Sequence, residues 1–247
     1  MSKVVLVTGS AKGIGAAIIL ELAQAGYDCV INYNTSKDEA LALEQKIKCY
    51  NVRTLVVKCD VSNSCDVDMM FDLIEKKLGG VDILINNAAV DLPNIFNNKN
   101  VEDFRRTLDV NLIGPFLTAK RCKKHMLDNK WGRIINISST NGMNTYYPMG
   151  LEYDASKAAL NSLTHNLAIE FAPYVTVNAI APGLIGTENE IKDYDEEFMQ
   201  MELDKILLRR IGEPSEVAKL VKFLISDDAG YINNSIIRID GGQYSSN

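Results

Sequence analysis

Histidine is nearly missing from this chain: 247 residues contain 2, His125 and His165. So few rings give no support to a His-based triad or a histidine metal cluster, no metal site is expected, and both read as structural or surface groups. Paired cysteines are missing as well. The 5 cysteines, Cys29, Cys49, Cys59, Cys65 and Cys122, are odd in number, scattered and without a CxxC pair; zinc and disulfide frameworks fit poorly, and reduced thiols fit better. No apolar run approaches the ~20 residues that cross a bilayer. Met1-Ser2-Lys3 leads straight into an apolar strand pattern without the h-region of a signal peptide. The expectation is a cytoplasmic protein. Positive charge is not in excess either. The formal net charge of -6 gives no electrostatic reason to expect nucleic acid or an anionic membrane, a local basic patch aside.

What is present is an ordinary globular composition, 47% hydrophobic and 23% charged. Val4–Val7 is a short continuous aliphatic run, the pattern of a strand buried on both faces. Further strands are expected at Cys29–Ile31, Thr54–Val57, Asp82–Asn86, Arg133–Ser138, Val175–Ile180 and Ile236–Ile239. Helices are expected over Ile14–Ala25, Lys37–Tyr50, from a cap at Ser62 or Asn63 to Leu78, over Tyr153–Phe171 and over Pro214–Ile225. A long one spans Val101–Asn129, with a restart or kink at Gly114-Pro115. This alternation has no compositional break. It predicts one α/β domain over residues 1–247, a doubly wound Rossmann-type fold whose seven-stranded parallel sheet carries helices on both faces. Glu188–Lys205 stands apart as acidic, Met-rich and without a strand pattern; a substrate lid is placed there, reaching to about residue 207.

Three stretches carry chemistry. Thr8-Gly9-Ser10-Ala11-Lys12-Gly13-Ile14-Gly15 joins the first strand to the first helix. Its glycines let backbone approach a pyrophosphate, and the helix start offers free N–H groups and a positive dipole end. The spacing is G-x-x-x-G-x-G rather than G-x-G-x-x-G, and alone it also reads as a tight turn. Asn86-Asn87-Ala88-Ala89 ends the fourth strand, where two amides can bridge neighbouring strands and line a crevice, or form a polar turn. Tyr153-x-x-x-Lys157 places both side chains on one helical face. Moving a phenol from pKa ~10 to ~7 takes about 4 kcal/mol. A unit positive charge about 4 Å away supplies that at an effective dielectric near 20. Read alone, such a pair is usually surface decoration.

These stretches occur in one order with Asn111 in Asp109-Val110-Asn111, with Ser138-Ser139 and with Pro182-Gly183. Together they give the chain a close resemblance, over essentially its whole length, to the short-chain dehydrogenase/reductase family. The resemblance implies an NAD(P)-dependent enzyme that interconverts a carbonyl and an alcohol. Tyr153 would donate or remove the proton, Lys157 would lower its pKa and bind the nicotinamide ribose, and Ser139 would hydrogen-bond the substrate oxygen. Asn111 would hold a relay water. Cofactor contacts are implied at Gly9, Ser10, Lys12, Gly13, Ile14, Gly15, Asn34, Asp60, Val61, Asn87, Ala88, Pro182, Gly183, Ile185 and Thr187, besides Tyr153 and Lys157. Asp60 would accept from the adenine amino group, and Ile185 and Thr187 would hold the carboxamide. A homodimer or homotetramer built on the helices around Asp103–Leu127 and Tyr153–Phe171 is also implied.

The chain departs from the family pattern in three places. Ala89 stands where glycine is usual, the interval from Ser139 to Tyr153 is one residue longer, and Asn233-Asn234 replaces Thr-Gly. At the end of the second strand the dehydrogenase aspartate is replaced by Tyr33, followed by Asn34, and Lys12 precedes Gly13. That points to NADP(H), with NAD(H) as the alternative. The ending Arg210-Ile211-Gly212-Glu213-Pro214, Phe223–Asp227 and Asp240-Gly241-Gly242 looks most like that of 3-oxoacyl-[acyl-carrier-protein] reductases. Lys123, Lys124, Lys130 and Arg133 are the expected contacts for acidic acyl carrier protein, although Glu170–Tyr174 lacks an arginine frequent in those reductases. A ketone, sugar or steroid alcohol dehydrogenase is the alternative. A non-catalytic dinucleotide-binding regulator on the same fold is a third reading.

Overall fold

Each residue of Val4–Val7 is buried, Val5 and Val7 toward one layer of helices and Val4 and Leu6 toward the other. A strand whose alternate side chains both meet helices belongs in the middle of a parallel sheet, and there it lies. A computed structural model describes residues 2–143, 147, 149–187 and 194–244. Its strands are β1 (Val4–Val7), β2 (Asp28–Tyr33), β3 (Thr54–Lys58), β4 (Ile83–Asn86), β5 (Gly132–Ile137), β6 (Val175–Pro182) and β7 (Ile236–Ile239). All pair in parallel, in the order β3-β2-β1-β4-β5-β6-β7. The order reverses between β1 and β4, which opens a crevice above their carboxyl ends.

The helices are α1 (Gly13–Gln24), α2 (Lys37–Ile47), α3 (Ser64–Leu78), α4 (Val101–Leu108), α5 (Gly114–Asp128), α6 (Leu151–Glu170), α7 (Glu196–Asp204) and α8 (Pro214–Ile225). On one face α1, α2 and α8 bury Ile18, Leu22, Leu43 and Val221. On the other α3, α5 and α6 bury Phe71, Ile74, Met126 and Leu167. Asn63 caps α3 through its side chain and Gly79 ends it at φ 99°, as the sequence predicts. No helix among the described residues is long and apolar enough to cross a membrane.

Three elements carry detail beyond the expectation. The Val101–Asn129 stretch starts a new segment at Gly114, where α5 begins, as expected. It widens beforehand into a π turn over Asp109–Ile113, and Pro115 sits in the first turn of α5. Proline has no N–H for the carbonyl four residues earlier, that of Asn111, so the ladder yields upstream of the ring. The stretch expected to be a lid contains a helix, α7, capped by Asp195 on the Phe198 N–H; its residues Glu188–Asp193 lie outside the described residues. β2 runs on to Tyr33 and thereby includes a buried asparagine, Asn32.

A polar seam crosses the core beneath the crevice. Asn86 on β4 and Asn136 on β5 face each other in register, and Asn86 Nδ2 donates to Asn136 Oδ1 at 2.8 Å. Thr118 of α5 donates to Asn86 Oδ1 (2.7 Å), and Asn136 Nδ2 donates to Thr164 of α6 (2.9 Å). All four side chains are buried, so each lost partner strands another. Asn136→Ala is expected to lower stability by about 2–4 kcal/mol. The check is a fall in the urea midpoint at unchanged slope.

Candidate active site

The carboxyl ends of the strands bring the predicted residues together. Gly9 has φ +60° and packs on the loop after β4; a Cβ there would lie 2.9 Å from Ala88 Cα. At Gly15 a Cβ would lie 2.6 Å from Asn87 Nδ2 and 2.8 Å from the Gly9 carbonyl. Asn87 holds this crossing. Its Nδ2 donates to the Thr8 and Gly9 carbonyls at 2.9 and 3.1 Å, while the Asn87 and Ala88 N–H groups donate to Thr8 Oγ1. The amides of Asn86 and Asn87 thus bridge β4 to β5 and to β1, as their position predicts. Ala89 is not among the residues with positive φ, so alanine is accommodated there without strain.

Asn32 is the residue that sequence reasoning missed at this turn. Its Oδ1 accepts the Gly9 N–H (3.0 Å), and its backbone accepts from and donates to Ser10. Ser10 is fully buried with its hydroxyl on Asn32, and so shapes the turn. A lone amide at the end of an apolar strand was the available signal.

Helix α1 begins with no side-chain cap and no acid in its first turn. Its first N–H groups, with no side chain capping them, fit the pyrophosphate of a dinucleotide. Lys12, at the helix start, is exposed. A Cβ at Gly13 would touch Thr187 Cγ2 at 3.5 Å, so the turn after β1 and the loop after β6 meet across the crevice. Pro182 ends β6, and Ile185 is buried and bridged to Gly212. After β3, Val61 is buried. Asp60 accepts from Ser62 N–H and Oγ, from Arg106 (3.1 Å) and from Asn34 Nδ2 (3.3 Å). Burial opposes its charge, but these donors outweigh it and hold the carboxyl below its ordinary range. An adenine amino group would have to displace one of them.

On the other side of the crevice, α6 places Tyr153 half-buried and Lys157 buried, with Lys157 Nζ 5.4 Å from the centre of the Tyr153 ring. Lys157 Nζ donates to the Ile137 carbonyl at 2.8 Å. Burial pulls its pKa down to about 8, partly offset by the Asp91 carboxylate. Ser138 is buried with its hydroxyl toward the Lys157 carbonyl, whereas Ser139 is partly exposed and its Oγ accepts the Asn141 N–H. Asn111 sits in the π turn, fully buried. Its side chain exchanges hydrogen bonds with the Val90 backbone (2.8 and 2.9 Å) and donates to Ser156. The amide is therefore engaged within the chain, and Pro115 has no N–H to offer the Asn111 backbone carbonyl.

The wall beside Tyr153 is acidic. Solvent reaches Asp91, yet crowding by protein and then the Glu152 carboxylate push its carboxyl up. Burial and Glu152 likewise raise Asp154, against hydrogen bonds from the Tyr147 N–H and Asn141. Within the longer Ser139–Tyr153 interval, Asn144–Tyr146 and Pro148 lie outside the described residues. The basic patch expected for a carrier protein is not free: Lys123 pairs with Glu170, Lys124 with Asp128, and Arg133 is buried between Trp131 and Asp227. Lys130 lies over the Tyr174 ring. Each of these cations finds a partner within its own chain. At the far end, Asn234 takes φ +61° and Asn233 Oδ1 accepts the Val177 N–H, which fixes the approach to β7.

Residues 9–244 match the family described as Enoyl-(Acyl carrier protein) reductase. The 3-oxoacyl-[acyl-carrier-protein] reductase of Staphylococcus epidermidis is 36% identical over 99% of this chain and 100% of its own. The acetoacetyl-CoA reductase of Rhizobium meliloti is 41% identical over 99% of each. A short-chain dehydrogenase/reductase variant from Serratia marcescens superposes with a TM-score of 0.91 at 32% identity, covering 97% of both chains. With crevice, glycine turn and Tyr–Lys helix in place, the chain belongs to the short-chain dehydrogenase/reductase family of oxidoreductases.

Proposed function

We propose that this oxidoreductase uses NADP(H) to reduce the ketone of a 3-oxoacyl thioester to a secondary alcohol, with Tyr153 as the proton donor. The observation that carries the reading is the buried ammonium of Lys157 beside the Tyr153 ring. When bound, the nicotinamide supplies the hydride that the carbonyl carbon accepts. The carbonyl π pair then needs a proton at oxygen, and Tyr153 gives it, its developing phenolate stabilised by Lys157. Ser139 holds the substrate oxygen. The Asn111 carbonyl holds a water toward Lys157, so that the proton is restored from solvent. In the reverse direction Tyr153 takes the alcohol proton.

Gly9, Gly13 and Gly15 with the start of α1 would hold the pyrophosphate, Asp60 and Val61 the adenine end, and Ile185 and Thr187 the carboxamide. No acid follows Val30 before Lys37, and Lys12 is exposed; both favour NADP(H), whose 2′-phosphate a basic side chain would meet. The two named relatives differ in the carrier but share a 3-oxoacyl thioester in their names. Such a substrate is uncharged around its ketone, which suits the acidic wall of Asp91 and Asp154. Acyl carrier protein, the carrier in the Staphylococcus name, would meet Lys123 and Lys124 by competing with Glu170 and Asp128 for them. The reading brings with it a cytoplasmic location and a homodimer or homotetramer. Exposed Val101, Ile113 and Phe116 on the α4–α5 segment and Ile169 on α6 supply apolar contact for assembly.

Turnover of an acetoacetyl thioester is expected to exceed that of a ketone and sugar panel, with kcat/KM higher for NADPH than for NADH; the opposite order in either assay overturns that part. Tyr153→Phe should cut turnover by about a thousandfold while NADPH binding, read by fluorescence, persists. Turnover that survives would remove Tyr153 as the proton donor, whereas a wild-type protein that binds NADPH without turning over any of these substrates would fit a binding protein.

Lys157 also makes a stability prediction. In the folded apoprotein it releases its proton near pH 8, in the unfolded chain near its ordinary 10.5. Between those values the unfolded chain binds more protons, so stability rises with pH across the window, and below it the burial penalty is fully present. Lys157→Met should therefore be inactive yet more stable at pH 7 by about 2–3 kcal/mol. Urea titrations at pH 7 and pH 10 test this: the gain should shrink at the higher pH.

A further inference from the structure

Immediately before Tyr153, Glu152 is fully buried and forms an ion pair with Lys99, itself 5% exposed, on the loop between β4 and α4. Lys99 Nζ also donates to the Leu92 carbonyl at 2.7 Å. The other Glu152 oxygen, Oε2, has no partner among the described residues. Taking both charges out of water is costly, and a half-satisfied carboxylate does not offset that cost well. As a stabiliser of the fold the pair is therefore poor, and its place in the site is what distinguishes it. An uncancelled carboxylate one residue from Tyr153, in the same helical first turn, would oppose the formation of a phenolate and work against Lys157.

The charged groups around Tyr153 among the described residues are few. On α6 they are Lys157, Glu152 and Asp154; on the loop after β4 they are Asp91 and Lys99. Strand β6 and the turn Thr140–Gly142 carry none. Charged side chains of α4 pair on its own surface or with Asp60, and Asp109 of the π turn is exposed. The cations of α5 pair with α3, Glu170, Asp128 and Asp82, or in Lys120 face solvent. Lys99 is thus the cation placed to offset Glu152.

We propose that Lys99 is a positioning residue for the acid–base pair: its ammonium cancels the Glu152 carboxylate beside Tyr153, and its bond to Leu92 fixes the loop after β4 against the start of α6. The assignment rests on Tyr153 being the proton-transfer residue. Removing Lys99 leaves a negative charge near the phenol, and removing Glu152 leaves a positive one. Because the pair is buried, salt screens it little.

The test is the pH dependence of kcat/KM for NADP-linked oxidation of a 3-hydroxybutyryl thioester, which requires Tyr153 as a base. Lys99→Met should move the rising limb up by about one pH unit and Glu152→Gln should move it down by a similar amount. That is the effect of a unit charge roughly 10 Å away at an effective dielectric near 20. The double variant, Lys99→Met with Glu152→Gln, should fold, bind NADPH and return to the wild-type limb. Singles that both keep the wild-type limb, or move the same way, overturn the proposal. So do two singles that cannot bind NADPH beside a double that can, since the pair would then be structural. If one single fails to fold, the other decides against the double. An active Tyr153→Phe variant would sink the reading of Tyr153 as the proton-transfer residue, a separate outcome.

Discussion

The site depends on keeping an ammonium inside the protein without a carboxylate bound to it. Lys157 is 2% exposed, and its described hydrogen bond goes to a backbone carbonyl, Ile137. A lysine paired with an acid would have its field cancelled at short range. One held by a carbonyl dipole keeps its charge directed at its surroundings, here the Tyr153 ring. Two further contacts brace it: the Ser138 hydroxyl meets the Lys157 carbonyl, and Asn111 in the π turn holds the neighbouring Ser156. Strand β5, helix α6 and the π turn are thereby fixed around one charge.

A second constraint acts on the backbone at the crevice. The turn after β1 passes so close to the loop after β4 that Gly9 meets Ala88 with no space for a side chain. Thr8, Asn32 and Asn87 hold that approach by donating to and accepting from backbone on three strands. The start of α1 stays uncapped as a result, and its N–H groups are open to an anion. The order of the strands places this anion site and the Lys157–Tyr153 pair at the same edge of the sheet, one on each side of the switch point.

Much of this can be read from residues alone, for physical reasons. Continuous aliphatic runs such as Val4–Val7 and Ile83–Ile85 have no alternative to burial on both faces, and glycines with positive φ mark Gly9, Gly13 and Gly79 as turns. Side chains that act through a partner distant in sequence are less legible. Asn32 is one amide in an apolar strand, and nothing local says that it faces Gly9. Lys99 lies in Asn97-Asn98-Lys99-Asn100, which reads as solvated loop until Glu152 is brought to it, 53 residues later. The partners of the expected carrier-binding cations are hidden in the same way. Charge counts show cations, but the acids that neutralise Lys123 and Arg133 are supplied by Glu170 and Asp227 from other elements.

The chemistry of the crevice rim follows from these contacts. Asparagines 32, 86, 87, 111 and 136 occupy positions where strands and loops must be tied together. An amide donates and accepts at once and carries no net charge, so it can satisfy buried backbone without adding a field. Where charges do occur beside the rim, Asp60 is met by Arg106 and Glu152 by Lys99. An active site that relies on one buried ammonium is served by a frame of this kind: a further uncancelled charge would add to or oppose the field of Lys157 at the phenol, the more strongly the nearer it lies.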